Sequence, residues 1–118
     1  FEYLEKGFPV YLALEGGECA GYLVCRIDAP CVWVESLYVE EAHRRRGVAS
    51  RLYGEAEELA RGYGESTLYN YVHPNNDPMI AFLARRGYDV LNLIEIRKPY
   101  PGEEFETRIP VGEHSFKY

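Results

Sequence analysis

The chain has 118 residues, of which 47% are hydrophobic and 27% are charged, and its formal net charge is −6. This length fits one globular domain with its own core. The acidic balance argues against a general nucleic-acid binder and mildly favours a cationic partner such as an amine. No apolar stretch approaches the ~20 residues of a membrane span and no signal peptide is visible, so we expect a cytoplasmic protein that binds no membrane.

The cysteines Cys19, Cys25 and Cys31 lie six residues apart. An odd number at this spacing fits neither a zinc site nor a disulfide framework. We therefore expect each cysteine to be a small buried hydrophobic residue, and we expect no bound metal.

The N-terminal part predicts the end of a helix followed by antiparallel strands. Apolar residues at positions 1, 4 and 8, with Gly7 as a stop signal, indicate the last turns of a helix. Strands are predicted at 9–14 and 19–28, joined by a hairpin turn at 15–18 whose two glycines permit positive φ. Ala29-Pro30 then turns the chain into a strand at 31–40, whose apolar run is typical of a strand covered on both faces.

The C-terminal part predicts two helices that alternate with strands. An amphipathic helix is predicted at 47–62 and a strand at 66–72. A second helix begins near Asn75, with Asp77 as its cap, Ile80, Leu83 and Ala84 on its inner face, and Gly87 at its end. A long strand at 88–98 and two short strands at 106–111 and 114–118 complete the chain.

This order of elements predicts an α/β layered (α+β) fold. Strands come first and are followed by helix, strand, helix and strand, which favours a mixed, mostly antiparallel sheet flanked by helices. We expect residues 1–118 to form a single domain, with residues 99–118 as a C-terminal extension of short strands.

A basic loop at residues 43–50 separates the 31–40 strand from the first complete helix. A helix start normally carries a capping Ser, Thr, Asp or Asn and acidic residues in its first turn, but here three arginines precede a glycine. Aligned backbone N–H groups, a glycine and guanidinium groups together predict a cradle for a phosphate or pyrophosphate. Its residues are Arg44, Arg45, Arg46, Gly47, Val48, Ala49 and Ser50. The alternative is a solvated turn whose arginines balance Glu40 and Glu41.

The pattern Arg44-x-x-Gly47-x-Ala49, placed after a strand and at the head of a helix, resembles the signature loop of the GNAT N-acetyltransferase family. The likeness extends to residues 35–39, to Asn75 and to residues 81–88, and covers roughly 9–98. It implies a GNAT-like domain that uses acetyl-CoA. In this family a first strand and most of two helices normally precede the equivalent of Phe1, so these elements are expected to be missing or truncated here.

The resemblance also implies how acetyl-CoA is held. Backbone groups of Leu37, Tyr38 and Val39 would bind the pantetheine arm, with one N–H facing the thioester carbonyl and stabilising the tetrahedral intermediate. Asn75 or Asn76 resembles an asparagine that contacts the same arm in relatives. The alternative for either asparagine is a turn residue at the start of a helix.

Two residues are candidates for the general base. An amine acceptor with a pKa of about 10 must lose a proton before it attacks. Glu35 is the first candidate, directly or through a water, because a carboxylate inside an apolar strand is desolvated and its pKa rises. The alternative is a structural glutamate paired with an arginine. His73 is the second candidate because histidine titrates near neutrality, and its alternative is a turn histidine.

At the position of the general acid, this chain differs from the family pattern. Many relatives have a tyrosine in the last helix where this chain has Leu83. Protonation of the leaving thiolate then falls to Tyr71, to Tyr38, to water or to no side chain.

Together these features predict an acetyl-CoA-dependent N-acetyltransferase that acts on a primary amine by direct attack in a ternary complex. The alternative is a non-catalytic module that binds acyl-CoA and regulates or contacts a partner. Nucleotide-binding folds are disfavoured because the chain lacks both Gly-Lys-Ser/Thr and Gly-x-Gly-x-x-Gly. A small metabolite, a polyamine, a protein N-terminus and a lysine all fit as acceptor, and a homodimer is compatible with the sequence.

Overall fold

The computed structural model describes residues 7–118, and these form two compact units that divide between Phe82 and Leu83. The predicted helix end at the N-terminus falls on residues outside this range, apart from Gly7, which lies in a turn with φ of 72°. Within the described range, no helix combines the length and apolarity needed to cross a membrane.

The first unit is built on a four-stranded sheet in the order β1-β2-β3-β4. The strands are β1 (Val10–Glu15), β2 (Glu18–Asp28), β3 (Cys31–Val39) and β4 (Tyr69–Asn70). β1, β2 and β3 pair antiparallel, and β4 pairs parallel to β3. Gly16 and Gly17 form the β1–β2 turn with φ of 58° and 83°, as a tight hairpin requires. The mixed, mostly antiparallel sheet predicted from the sequence is therefore confirmed.

One face of this sheet is covered by the amphipathic helix α1 (Val48–Gly62), which packs against β1, β2 and β3. Burial of apolar side chains between helix and sheet drives this packing. The side chains in this core are at most 3% exposed: Leu52, Tyr53, Ala56 and Ala60 from α1, and Ala20, Leu23, Cys25 and Val32 from the sheet. The Tyr53 hydroxyl donates a 2.6 Å hydrogen bond to Oδ1 of Asn70, which ties α1 to β4.

Gly21 allows β2, β3 and α1 to approach closely at the end of the sheet nearest the basic loop. A Cβ at this position would lie 2.5 Å from the Tyr38 carbonyl oxygen and 3.3 Å from Cγ1 of Val48. Only glycine fits there, because the neighbouring atom at 2.5 Å is backbone and cannot move aside.

Two expectations about burial are wrong. β3 was expected to be covered on both faces, but β2 is the most buried strand, and Val32 is the only fully buried residue of β3. Among the cysteines, Cys25 is buried, Cys31 is half-buried and Cys19 is exposed. Burial raises the pKa of the Cys25 thiol to about 11, so this thiol is inert at neutral pH.

The predicted strand at 66–72 is only two residues long, and α2 (Asp77–Arg85) is capped one residue earlier than predicted. Oδ1 of Asn76 accepts the Met79 backbone N–H at 3.3 Å, so Asn76 and not Asp77 is the N-cap. The inner face is also different from the prediction. Leu83 is buried, but Ile80 is 39% exposed and Ala84 is exposed, whereas Met79 and Phe82 are half-buried.

The second unit contains the end of α2 and a hairpin of β5 (Arg108–Val111) and β6 (His114–Lys117), which confirms the two short strands predicted there. The strand predicted at 88–98 is wrong, because residues 89–100 have no regular structure. Val90 is 84% exposed and Leu91 is 69% exposed. Strand propensity is realised only where a neighbouring strand and a packed face are available, and within residues 7–118 this segment pairs with no strand.

Candidate active site

The basic loop between β3 and α1 adopts a backbone shape that its residue types would not adopt without tertiary support. After a short 3-10 turn at Glu41–His43, Arg45 has φ of 65° and Gly47 has φ of 77°, both in the left-handed region. This region is unfavourable for an arginine and easy for glycine. Nε of Arg44 donates a 3.0 Å hydrogen bond to the Val39 carbonyl, which fastens the loop to the end of β3.

The N-terminal end of α1 is open, as the sequence predicted. Gly47 is the N-cap and provides no side-chain hydrogen bond, and the first turn contains no acidic residue. A Cβ built on Gly47 meets no atom within 4 Å, so residues 7–118 leave the space beside this backbone unfilled. The first N–H groups of a helix have no intrahelical acceptors and carry the positive end of its dipole. This end of α1 can therefore bind an anion.

The arginines of the loop are not balanced by Glu40 and Glu41, which was the alternative interpretation. Nη1 of Arg46 lies 3.8 Å from Oε2 of Glu15, a long contact, and Arg46 is 61% exposed. Arg45 is exposed and has no carboxylate partner among residues 7–118. Positive charge is thus available next to the open helix end.

Glu15 forms the acidic side of this region. Its carboxylate lies 3.3 Å from Nη2 of Arg51 and 3.7 Å from Nδ1 of His43, in addition to Arg46. Nε2 of His43 lies 3.7 Å from Glu18. Only the Arg51 contact is a hydrogen bond, so Glu15 ties β1 to α1 and lies near the basic loop without bonding to it.

Beside the open helix end, one edge of β3 pairs with no strand of residues 7–118 beyond the short contact with β4. β4 pairs with β3 only at Trp33↔Tyr69 and Val34↔Asn70, so pairing stops before the residues expected to hold the pantetheine arm. The backbone N–H of Glu40 points to β2, where it bonds to Ala20. Because successive peptide groups of a strand alternate in direction, the backbone groups of Leu37 and Val39 point to the unpaired edge, while those of Tyr38 point to β2.

Glu35 lies at a β-bulge and is exposed, so the expectation that it is buried is wrong. Ser36 pairs with Val24 and Val34 pairs with Cys25, which leaves Glu35 as the extra residue. Its side chain is 32% exposed, and Oε2 lies 3.2 Å from Nε of Arg26. A bulge redirects a side chain, which explains why an acidic residue in an apolar run is not in the core. The observed pair matches the alternative of a glutamate paired with an arginine.

The polar residues after β4 are arranged as a turn that leads into α2. Nδ1 of His73 accepts the backbone N–H of Asn75 at 3.2 Å, which agrees with the turn alternative for His73. Asn76 is used as the cap of α2. Asn75 is exposed and, of the two asparagines, it is the one whose side chain is not used as a helix cap.

The candidate general acids differ in their surroundings. The Tyr38 hydroxyl donates to Oε2 of Glu40 at 3.2 Å, and this hydrogen bond raises the pKa of Tyr38. Tyr71 is 66% exposed, and its ring stacks on Trp33 at 4.9 Å. Leu83 is 5% exposed and has no group that could donate a proton. A phenol with a raised pKa is a weaker acid, which counts against Tyr38 as the proton donor.

Sequence reasoning missed the residues that surround Glu35. Arg26 and Trp33 are register partners on β2 and β3, and Trp33 is the register partner of Tyr69 on β4. Strand alternation gave no usable signal for this grouping, because Glu35 lies at a bulge and Tyr71 follows the end of β4. Their proximity depends on strand pairing, which the sequence alone did not specify.

The first unit thus combines a mixed sheet, a covering helix with an uncapped start and a strand edge beside it, and comparison with known proteins identifies this fold. The model of the acetyltransferase (GNAT) family matches residues 1–88. The chain therefore belongs to the GNAT family, and its class is that of an N-acetyltransferase. No curated protein has a matching sequence.

Solved structures of acetyltransferases share this fold. The aminoglycoside N-acetyltransferase AAC(6')-Iy in complex with CoA has a TM-score of 0.67 at 19% identity, with 84% of this chain and 87% of that chain covered. A candidate streptothricin acetyltransferase from Bacillus anthracis, in complex with acetyl coenzyme A, has a TM-score of 0.63 at 22% identity, with 68% and 46% covered. Nourseothricin acetyltransferase has a TM-score of 0.63 at 30% identity, with 69% and 49% covered. These findings confirm the predicted family, the fold and acetyl-CoA as the cosubstrate of the class.

Proposed function

We propose that this chain transfers the acetyl group of acetyl-CoA to a primary amine by direct attack in a ternary complex. The observation that carries the proposal is the uncapped start of α1, with Arg45 and Arg46 beside it, next to the unpaired edge of β3. The helix start and its arginines can bind a diphosphate, and the edge of β3 can bind an extended arm that contains amides. Family membership supports the same arrangement.

In the proposed reaction, the helix end and the arginines hold the pyrophosphate. The backbone of Leu37 and the N–H of Val39 hold the pantetheine arm, since the Val39 carbonyl already accepts a hydrogen bond from Arg44. The amine nitrogen attacks the thioester carbonyl carbon, and a strand N–H stabilises the negative charge on the carbonyl oxygen. The amine proton passes to Glu35, directly or through a water. The carbon–sulfur bond then breaks, and the thiolate takes a proton from Tyr71 or from water.

The acceptor class proposed is a cationic amine. The net charge of −6 and the exposed carboxylate of Glu35 favour a positively charged substrate. Similar structures include enzymes named for aminoglycosides, streptothricin and nourseothricin. We therefore place cationic antibiotics of these kinds first in an acceptor panel, ahead of polyamines and peptides.

The first experiment measures thiol release from acetyl-CoA with this panel, together with acetyl-CoA affinity by calorimetry. Release that requires an amine supports the proposal. Tight acetyl-CoA binding with no release from any amine would instead support the non-catalytic module. The pairing of Glu35 with Arg26 and the aliphatic Leu83 are the observations that favour that second function.

Glu35→Gln tests the base. A general base contributes about 10²–10⁴-fold to a rate, so we expect kcat to fall by at least about 100-fold. Without the base, only the free amine reacts, so activity should keep rising with pH toward the amine pKa of about 10. Glu57→Gln on α1 is the matched control and should leave the profile unchanged. A wild-type rate and profile in Glu35→Gln would remove Glu35 from the mechanism.

A further inference from the structure

An aromatic cluster of Trp33 on β3, Tyr69 on β4 and Tyr71 just after β4 lies beside Glu35. The Trp33 ring has its centroid 4.9 Å from that of Tyr71, nearly parallel at 17°, and 5.1 Å from that of Tyr69. Glu35 lies at the bulge of β3, so strand alternation does not place its side chain. The Arg26 head group, however, contacts both the Glu35 carboxylate and the Trp33 ring. The carboxylate and the rings are therefore neighbours on one surface.

A cation from the protein itself already lies on this surface. The guanidinium carbon of Arg26 is 5.2 Å from the Trp33 ring centroid, and Nε of Arg26 is 3.2 Å from Oε2 of Glu35. Both the face of an indole ring and a carboxylate attract a positive charge. The Arg26 head group therefore occupies a place that attracts positive charge.

This surface is accessible. The Arg26 and Glu35 side chains are 31% and 32% exposed, and Tyr71 is 66% exposed. Arg26 directly follows the fully buried Cys25 on β2, so its side chain lies on the opposite face from that core residue. An ion pair with this exposure adds little to stability and can be exchanged for another cation at low cost.

We propose that Glu35, Trp33 and Tyr71 bind a protonated amine of the acceptor and that Arg26 occupies this site until the acceptor displaces it. The inference rests on the proposed function and adds to it the acceptor's binding site and its selectivity for cations with an apolar surface. The Glu35 carboxylate would repel an anion. A neutral hydrocarbon that displaced Arg26 would leave that carboxylate without a partner. Charge complementarity thus selects one occupant.

Binding can be measured without turnover, because Trp33 is the single tryptophan of the chain. The full chain is titrated with choline, which cannot be acetylated on nitrogen, and with its uncharged isostere 3,3-dimethylbutan-1-ol, while Trp33 fluorescence is followed. We expect a saturable change with choline and none with the alcohol. Equal responses to the two probes, or no response to either, would overturn the inference.

Variants then identify the contacts. Arg26→Gln removes the internal competitor and should tighten choline binding by about two- to fivefold, the range of an exposed cation–π contact. Tyr71→Leu and Glu35→Gln should weaken it by a similar or larger factor. Tyr71→Phe keeps the ring and is the matched control, with unchanged choline binding. Weaker binding in Arg26→Gln, or equal binding in Tyr71→Leu and Tyr71→Phe, would contradict the inference.

Steady-state kinetics separates this inference from the proposed function. If an amine is a substrate, Tyr71→Leu should raise its KM and leave the KM of acetyl-CoA unchanged. Should no amine be acetylated while choline binding follows the variants as described, the proposed function fails and the cation site stands. If amines are acetylated but their KM is the same in Arg26→Gln and Tyr71→Leu as in the wild type, the cation site is rejected and the proposed function is kept.

Discussion

At its C-terminal end, α1 is closed by the backbone of its own chain, whereas its N-terminal end is left open. The N–H groups of Gly64 and Glu65 donate to the carbonyls of Arg61 and Ala60, at 2.9 and 3.0 Å. At the other end, Gly47 provides no side-chain hydrogen bond to the first turn. Gly64 and Gly47 have nearly the same left-handed φ, 83° and 77°, so one backbone conformation serves both ends.

From the difference between the two ends, we propose a structural role for Gly64 and a cofactor-binding role for Gly47. At Gly64 the positive φ returns the chain so that orphan carbonyls find donors, a common way to end a helix. At Gly47 the same φ brings basic residues to the start of α1. The N–H groups of the first helical turn have no side-chain cap there. A helix end that the protein leaves open is available to a ligand, and the predictions below test this contrast.

The largest expected effect comes from Gly47→Glu. A carboxylate there would occupy the anion site and repel phosphate, removing two or more charge-assisted hydrogen bonds, so acetyl-CoA affinity should fall by about 100-fold or more. Isothermal titration calorimetry measures this directly.

Gly64→Glu is its matched control. Both glycines have positive φ and no atom within 4 Å of a built Cβ, so both variants pay a similar conformational cost of about 1 kcal/mol. We expect similar losses of thermal stability, with acetyl-CoA affinity unchanged in Gly64→Glu. Equal affinities in the two variants would show that the N-terminal end of α1 does not bind the cofactor.

A smaller effect is expected from Arg46→Ala, compared with Arg61→Ala in the last turn of α1. Loss of one charge-assisted contact to phosphate should raise the KM of acetyl-CoA about tenfold. The increase should be smaller at high salt, because the lost contact is electrostatic and exposed. Arg61→Ala should leave this KM unchanged at every salt concentration, and a similar rise in both variants would mean that only overall charge matters.

The smallest effect is expected at the C-terminal end. A hydrogen bond from Arg61 lowers the pKa of Glu58 below its ordinary value of 4.5. The pair therefore stabilises the fold above pH 4.5, and this contribution is lost as pH falls through the lowered pKa. Thermal unfolding should show a slightly lower Tm for Glu58→Gln at pH 7 and a shrinking difference in acid. If the Tm difference between the wild type and Glu58→Gln instead grew in acid, the pKa of Glu58 would be raised and not lowered by folding.

Much of the fold could be predicted from the sequence because local patterns agree with it. The glycine pair at 16–17, the apolar stripe from Val48 to Ala60 and the turn residues before α2 each specify their element within one or two residues. The segment 88–98 could not be predicted, because strand propensity depends on a partner that lies elsewhere in the chain. The N-cap of α2 was misplaced by one residue since Asn76 and Asp77 are both good caps.

The candidate site divides in the same way. The open helix end could be predicted, because the absence of a capping side chain beside Gly47 is a property of adjacent residues. The exposure of Glu35 could not be predicted, since a bulge arises from the register between β2 and β3. The roles of Glu35 and Tyr71 stay predictions that the variants above test, and the roles of His73 and Asn75 stay predictions.

The sequence by itself determined the order of the elements, the basic loop and the missing helix cap, because these depend on residues that are neighbours along the chain. Only the tertiary structure decided that Glu35 faces solvent, that Arg26 and Trp33 stand beside it and that β3 keeps an unpaired edge. Strand register brings residues from distant positions together, and a shift of one residue would move every side chain to the other face.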